Sequence, residues 1–317
     1  PFLNFSLMKQ IDEYLCRAYP DVPVLFRLIT NGTLVHGEIQ DWLTARKDHY
    51  QVMLSLDGKQ QQHDANRKDI HGKGSFASID LDFFTRTWQY CPVSMTVNEQ
   101  TLPHLAESTI WIQEQGFDAL SAFEWACPWD LKKNKPVLQE QLEQLVSYYI
   151  AHPERHMSLL VNYQLTRFFR PLDEHYRYCL DIDDPLVCYD AWGRYAPCHG
   201  YTAFTIGSEE KAEQFRHLST GDFVFAKGNL CCGCQLVRLC RVCFAANYML
   251  TGDPQQQSPE ICVFNRMCIR AGIRITRGRL EAKASAAGGS GLSEADRQEL
   301  AAADAVEAYL AEKWHDD

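Results

Sequence analysis

The sequence predicts an α/β fold: a partial parallel (βα) barrel, then a small cysteine-rich domain, then a C-terminal helical tail. Three observations predict it. Up to about residue 170, apolar strand-like runs alternate with helical patterns, as βα units joined by right-handed crossovers do. Cysteines crowd the second half in an ordered spacing, and after residue 275 the composition turns small and flexible before a last amphipathic stretch.

Each element has its own signal. Phe5, Met8, Ile11 and Leu15 lie at helical spacing over residues 4–16, and residues 24–29 read as a buried strand running into Thr30-Asn31-Gly32-Thr33. A short helix over 37–46 leads to an apolar strand over 50–56 that stops at Asp57-Gly58; a polar loop and a helix over 75–88 follow. Residues 92–97 form a third strand. Pro103 opens a helix that ends at Gly116, following the preference for proline at helix starts and glycine at their ends. A fourth strand spans 117–125, and Leu138, Leu142, Leu145 and Tyr149 mark one face of a helix. Four βα units are too few to close an eight-stranded barrel. In such folds chemistry gathers at the C-terminal strand ends, here 30–32, 55–58, 98–99 and 124–125. Further on, 186–189 and 194–198 read as a hairpin about Trp192-Gly193 that presents Cys198. Residues 284–291 are linker-like, and Ser293 is an N-cap for a final helix with Val306, Leu310 and Trp314 on one face.

With 317 residues, 46% of them hydrophobic, the chain is long enough for about two domains that bury their own cores. The formal charge of −10 and scattered basic residues argue against nucleic acid as a partner. No apolar run approaches the ~20 residues that span a bilayer. Thirteen cysteines without a secretory signal point to a reducing cytoplasm. The chain opens without Met inside a structural element, so the natural N-terminus is expected upstream.

The cysteines are ordered as Cys179, thirteen residues, Gly193, four residues, Cys198, then Cys231-x2-Cys234-x5-Cys240-x2-Cys243, and finally Cys262. Cysteines two residues apart place both sulfurs on one metal without backbone strain. Iron–sulfur ligation is favoured. A zinc ribbon is the second reading, although the gap between Cys234 and Cys240 is far shorter than the ~15 residues usual in ribbons. A disulfide framework is the third. Cys16, Cys91, Cys127, Cys188, Cys232 and Cys268 stand outside the pattern and read as small core residues. Backbone amides of the Gly228–Cys234 loop are candidates to point at cluster sulfurs; otherwise Gly233 merely permits a tight turn.

That order of cysteines resembles the SPASM domain of radical SAM peptide-modifying enzymes. Pro1-Phe2-Leu3-Asn4-Phe5 is similar to the continuation of the family's Gly-Gly-Glu-Pro motif, and residues 29–34 to its next strand end, with Thr30 and Asn31. Ser55-Leu56-Asp57-Gly58 with His63, Asp64 and Arg67 resembles the segment that contacts the cofactor. The resemblance runs over roughly 1–270. It implies a partial radical SAM barrel at 1–172, a SPASM domain at 173–275, and a linker with a C-terminal helix at 276–317. It implies that Pro1, Thr30, Asn31, Ser55, Asp57 and Arg67 serve S-adenosylmethionine, with Ser55 at the ribose, Arg67 at the methionyl carboxylate and Asp57 organising the loop. It further implies two auxiliary 4Fe-4S clusters. Cys231, Cys234, Cys240 and Cys262 would ligate one; Cys179, Cys198 and Cys243 would give three ligands to the other, with Cys188 or Cys268 as a fourth.

The departures from the family matter too. The cofactor-cleaving cluster needs a CxxxCxxC loop, and none occurs here. By itself the chain is therefore not expected to cleave S-adenosylmethionine. The activity implied for the complete enzyme is hydrogen abstraction from a precursor peptide, with flavodoxin or ferredoxin as electron donor. Thioether formation is the first choice, on the Cys240-x2-Cys243 variant and residues 92–98. Formylglycine formation, as in anaerobic sulfatase maturases, is the alternative, and a zinc-stabilised or catalytically degenerate peptide-binding module is a third possibility.

Overall fold

A computed structural model describes residues 1–124, 127–171, 187–219, 222–223, 228–286 and 291–314. The chain divides into two compact units. The first comprises 1–124 with 154–160, and the second 125–153 with 161–317.

The first unit is built on four parallel strands in sequential order: β1 (Phe26–Thr30), β2 (Tyr50–Ser55), β3 (Pro92–Val97) and β4 (Asp118–Phe123). All four fall where apolar runs predict them. Tyr50, Val52 and Leu54 of β2, with Val93, Met95 and Val97 of β3, are buried; alternating along each strand, they form one face of the sheet, while the residues between them stay half-buried. Helix α1 (Phe5–Ala18) precedes β1, and crossover helices α2 (Glu38–Ala45), α3 (Gln60–Asn66), α4 (Leu81–Thr87) and α5 (Leu105–Glu114) connect the strands.

Three details differ from expectation. Ile11 of α1 is 45% exposed, whereas Asp12 is wholly buried, because Arg46 lies 2.7 Å from its Oδ2 and the Tyr50 hydroxyl donates to its Oδ1 at 3.2 Å. Burial beside that carboxylate raises the Tyr50 pKa. The polar stretch after Gly58 contains α3, which has no apolar stripe to reveal it. The helix expected over 75–88 is broken into a 3-10 turn (Phe76–Ser78) and α4, because Asp80 caps α4 by accepting from the Phe83 amide at 3.2 Å.

The second unit begins with α6 (Leu131–Ala151), capped by Asp130 and burying Leu138, Leu142, Leu145 and Tyr149 as its pattern predicts. A hairpin of β5 (Cys188–Tyr189) and β6 (Tyr195–Ala196) follows, its turn closed by Asp190 Oδ1, which accepts from the Trp192 and Arg194 amides at 2.9 Å. Short helices α7 (Ala203–Ile206) and α8 (Glu209–Glu213) pack with α9 (Phe244–Thr251) around Tyr201, Phe215, Phe223 and Phe244. α10 (Pro259–Ala286) is continuous through position 276 and into the stretch expected to be linker. It lies on α6, where Gly278 lets the backbones approach; a Cβ there would sit 2.6 Å from Ile150 Cδ1. α11 (Glu294–Lys313) opens with a capping box of Ser293 and Asp296.

Among the described residues no helix is long and apolar enough to cross a membrane.

Candidate functional site

In the first unit, the expected cofactor residues gather at the carboxyl ends of β1 and β2. Thr30 is buried, and its Oγ1 accepts from the Gly32 amide at 3.1 Å, while exposed Asn31 accepts from the Thr33 amide at 3.3 Å. Half-buried Ser55 ends β2 opposite Ser94. Pro1 stands apart as an exposed residue at the start of a 3-10 turn.

Asp57 is the hub of this region. It is fully buried and accepts from Arg67 Nε at 2.7 Å, Arg67 Nη2 at 3.0 Å, Asn66 Nδ2 at 2.6 Å and the Thr96 amide at 2.9 Å. The bidentate pair fixes the guanidinium plane and leaves Nη1 the part of Arg67 available to a ligand. Behind it, the Asp57 amide donates to His63 Nδ1 at 3.4 Å, which assigns the proton to Nε2; that atom lies 3.0 Å from Ser75 Oγ, whose hydroxyl donates to the Arg67 carbonyl. Burial lowers the His63 pKa, so this relay holds a neutral imidazole. Sequence reasoning found Asp57 and Arg67 through the Asp-Gly turn and the resemblance. It missed Asn66 and Thr96, and placed Asn98, whose Nδ2 donates to Asn66 Oδ1 at 2.8 Å, only as part of a strand end.

In the second unit, Cys231, Cys234, Cys240 and Cys262 line one small cavity, of about 20 Å³, with Gln257, Arg266 and Trp314. The first two come from the loop opened by Gly228; Cys240 follows a 3-10 turn (Gln235–Arg238), and Cys262 lies in the first turn of α10. Burial, reinforced by the neighbouring thiols, pushes Cys231 up to about 12 and Cys240 well above the usual thiol range, with Arg266 pulling Cys240 down. Yet no three His, Cys, Asp or Glu side chains among the described residues are grouped to hold a single metal ion. A tetrahedral zinc with bonds of ~2.3 Å would draw its sulfurs to within roughly 4 Å of one another.

Three of the loop amides are engaged elsewhere rather than with the cavity sulfurs. Those of Cys231, Cys232 and Cys234 are spent on Asn229 Oδ1, the Asn229 carbonyl and the Cys231 carbonyl, at 2.9, 3.0 and 3.2 Å. Gly233, at φ 82°, serves the turn. Sulfur-directed donors come instead from side chains: Arg266 Nη1 lies 3.1 Å from Cys262 Sγ, and the Tyr309 hydroxyl 3.9 Å from Cys234 Sγ.

Cys198 and Cys243 both pack against the small aromatic core around Tyr201. Cys243 also caps α9, its sulfur 3.5 Å from the Ala246 amide. Cys179 lies outside the described residues. Of the two candidates for a fourth ligand, Cys188 stands directly across the hairpin from Ala196 of that same core, whereas Cys268 is buried in the middle of α10. Every described cysteine is a free thiol. The core reading holds for Cys91 and Cys268, both buried, and fails for Cys16 and Cys232, both exposed. Trp129 is a core residue against Phe264, and Trp125 lies outside the described residues.

No family model matches the chain. One stretch of 119 residues is 29% identical to a cysteine-type anaerobic sulfatase-maturating enzyme of Clostridium novyi (strain NT), covering 37% of this chain and 29% of that enzyme. The match thus spans less than a third of that relative's length. Among solved structures, anSMEcpe with bound AdoMet superposes with a TM-score of 0.61 at 16% identity, over 94% of this chain and 81% of that one. Native anSMEcpe with bound AdoMet and a peptide gives 0.63 at 15% identity, over 88% and 82%. The chain therefore has the fold of these radical SAM sulfatase-maturating enzymes.

Proposed function

We propose that this chain is part of a radical SAM enzyme of the SPASM type that modifies a residue of a bound peptide. The observation that carries the reading is the gathering of Cys231, Cys234, Cys240 and Cys262 around one cavity, within a fold shared with anSMEcpe. Residues 1–172 would serve S-adenosylmethionine and 173–275 two auxiliary 4Fe-4S clusters; residues 276–317 complete the chain. Cys179, Cys198 and Cys243 would hold the second cluster, with Cys188 favoured over Cys268 as its fourth ligand because of its place on the hairpin.

When bound, S-adenosylmethionine and the clusters supply hydrogen abstraction from the peptide and uptake of the electron released. The chain's own residues bind and orient. Arg67 Nη1, its guanidinium plane fixed by Asp57, would meet the methionyl carboxylate, and Ser55 at the end of β2 the ribose. The chain contains no CxxxCxxC, so on its own it would not cleave the cofactor. A flavodoxin- or ferredoxin-type donor and a cytoplasmic setting, where free thiols persist, follow from the same reading.

Formylglycine formation is favoured by the match to the Clostridium novyi enzyme. Thioether formation is supported by the Cys240-x2-Cys243 spacing and residues 92–98. Reconstitution with iron and sulfide without oxygen should give brown protein absorbing near ~400 nm, and Cys231→Ala or Cys262→Ala should remove about four iron atoms per chain. Colourless protein with stoichiometric zinc would overturn the reading. With a cysteine-bearing peptide and the whole reading frame, mass spectrometry separates the two activities: formylglycine loses the sulfur, and a thioether keeps it while losing two hydrogens.

A further inference from the structure

We propose that the C-terminal helix α11, together with the start of α10, is a donor shell that raises the reduction potential of the cluster held by Cys231, Cys234, Cys240 and Cys262, with Arg266, Tyr309 and Trp314 as its positioning residues. The proposal rests on the iron–sulfur reading above and adds a role for a segment that the sequence presents only as a tail.

Three observations converge. Arg266 is 5% exposed, donates to Cys262 Sγ at 3.1 Å, and lies 4.0 Å from the centre of the Trp314 ring. Tyr309, one turn before the end of α11, receives the Gln235 amide at 3.1 Å, which leaves its own proton free to point at Cys234 Sγ, 3.9 Å away. Trp314 caps α11, lines the sulfur cavity, and has a buried Nε1 with no hydrogen-bond partner among the described residues. A buried indole N–H is costly to leave unpaired. Indole nitrogen only donates, so the missing partner is an acceptor. In a cavity walled by four thiols, the sulfurs of a bound cluster would be acceptors for it, beside Gln257 Oε1. Gln257 Oε1, a second unpaired buried atom in the same wall, is itself an acceptor.

The consequence is electrostatic. Taking up an electron makes a cluster more negative, and hydrogen bonds to its sulfurs favour that reduced state. A guanidinium shielded from water adds to the effect, since its field is weakly screened there. The indole face in turn keeps Arg266 in place.

The test is a redox titration of the anaerobically reconstituted protein, followed by electron paramagnetic resonance, with iron counted in each sample and Cys198→Ala used to assign the two sets of signals. Trp314→Phe keeps a ring against Arg266 and removes only the N–H; Tyr309→Phe removes only the hydroxyl. Both should lower the midpoint of the Cys231/Cys234/Cys240/Cys262 centre at unchanged iron content, and Arg266→Gln should lower it further. Unshifted midpoints at full iron content would overturn the proposal and leave the iron–sulfur reading standing. Iron loss in Trp314→Phe with an unshifted midpoint in the loaded fraction would mark a merely structural cover and also overturn it. If the unaltered protein takes up no iron, the underlying reading fails, and this proposal with it.

Discussion

Replacing Asp57 by asparagine keeps the side chain's shape and removes its charge. The carboxylate is wholly buried, while 26% of the Arg67 side chain remains accessible to water. Breaking a buried ion pair from one side costs about 3–5 kcal/mol, and the partial hydration left to Arg67 points to the low end, about 3 kcal/mol. The new amide also sets an NH2 against the Arg67 Nε and Asn66 Nδ2 donors, both now within 2.7 Å of one carboxylate oxygen, adding roughly 1 kcal/mol. At roughly 3 °C per kcal/mol, the thermal midpoint of the first unit should fall by about 12 °C. Circular dichroism melts measure it directly. Arg67→Met serves as the coupling partner: in its background Asp57→Asn should cost much less, since the pair is already gone. A shift below ~3 °C in Asp57→Asn, or full additivity in the double variant, would refute Asp57 as the organiser of this region.

Three other outcomes are expected. Burial lowers the folded-state pKa of His63 below the ordinary value of about 6.5, so its contribution to stability is complete above that pH and fades as pH falls toward the folded-state pKa; melts at high and low pH should show this loss, and an equal pH slope in His63→Gln would refute it. Gly58 has φ of 119°, and a Cβ there would meet Ser108 Oγ at 2.2 Å, so Gly58→Ala should cost about 2–4 kcal/mol in urea unfolding; a loss under ~1 kcal/mol would show that the turn can shift. The Arg274–Glu143 pair between α10 and α6 has both side chains more than 40% exposed, so Arg274→Ala should cost less than ~1 kcal/mol and lose that effect in high salt; a larger, salt-independent cost would mean that packing dominates.

Much of this architecture is legible in the residues. Strands β2 and β3 announce themselves as apolar runs between polar breaks, the hairpin through Trp192-Gly193, and α11 through Ser293 as its N-cap and the apolar face after it. Helix α3 is hidden because Gln60–Asn66 carries no apolar stripe and buries a histidine and a glutamine instead. Asp12 defeats pattern reading for a related reason: its partners, Arg46 and Tyr50, lie more than thirty residues away in sequence, and only tertiary structure brings them to it. Spacing brings out the cysteines of the sulfur cavity. It cannot show that the nearby loop amides are already engaged, nor that Trp314 reaches the same cavity from the other end of the unit's sequence, since neither fact leaves a local trace.

Cys262, Arg266 and Arg270 follow one another at four-residue steps on α10, with Arg270 Nη2 donating to the Trp314 carbonyl at 3.2 Å; further along the rod Arg274 meets Glu143 and Arg277 meets Asp304. A helix advances about 100° per residue, so inserting one amino acid in this stretch would swing every later arginine a quarter-turn or more off its target. The rod works as a phase ruler. Any attempt to transplant the sulfur cavity into another scaffold has to carry Pro259–Ala286 whole.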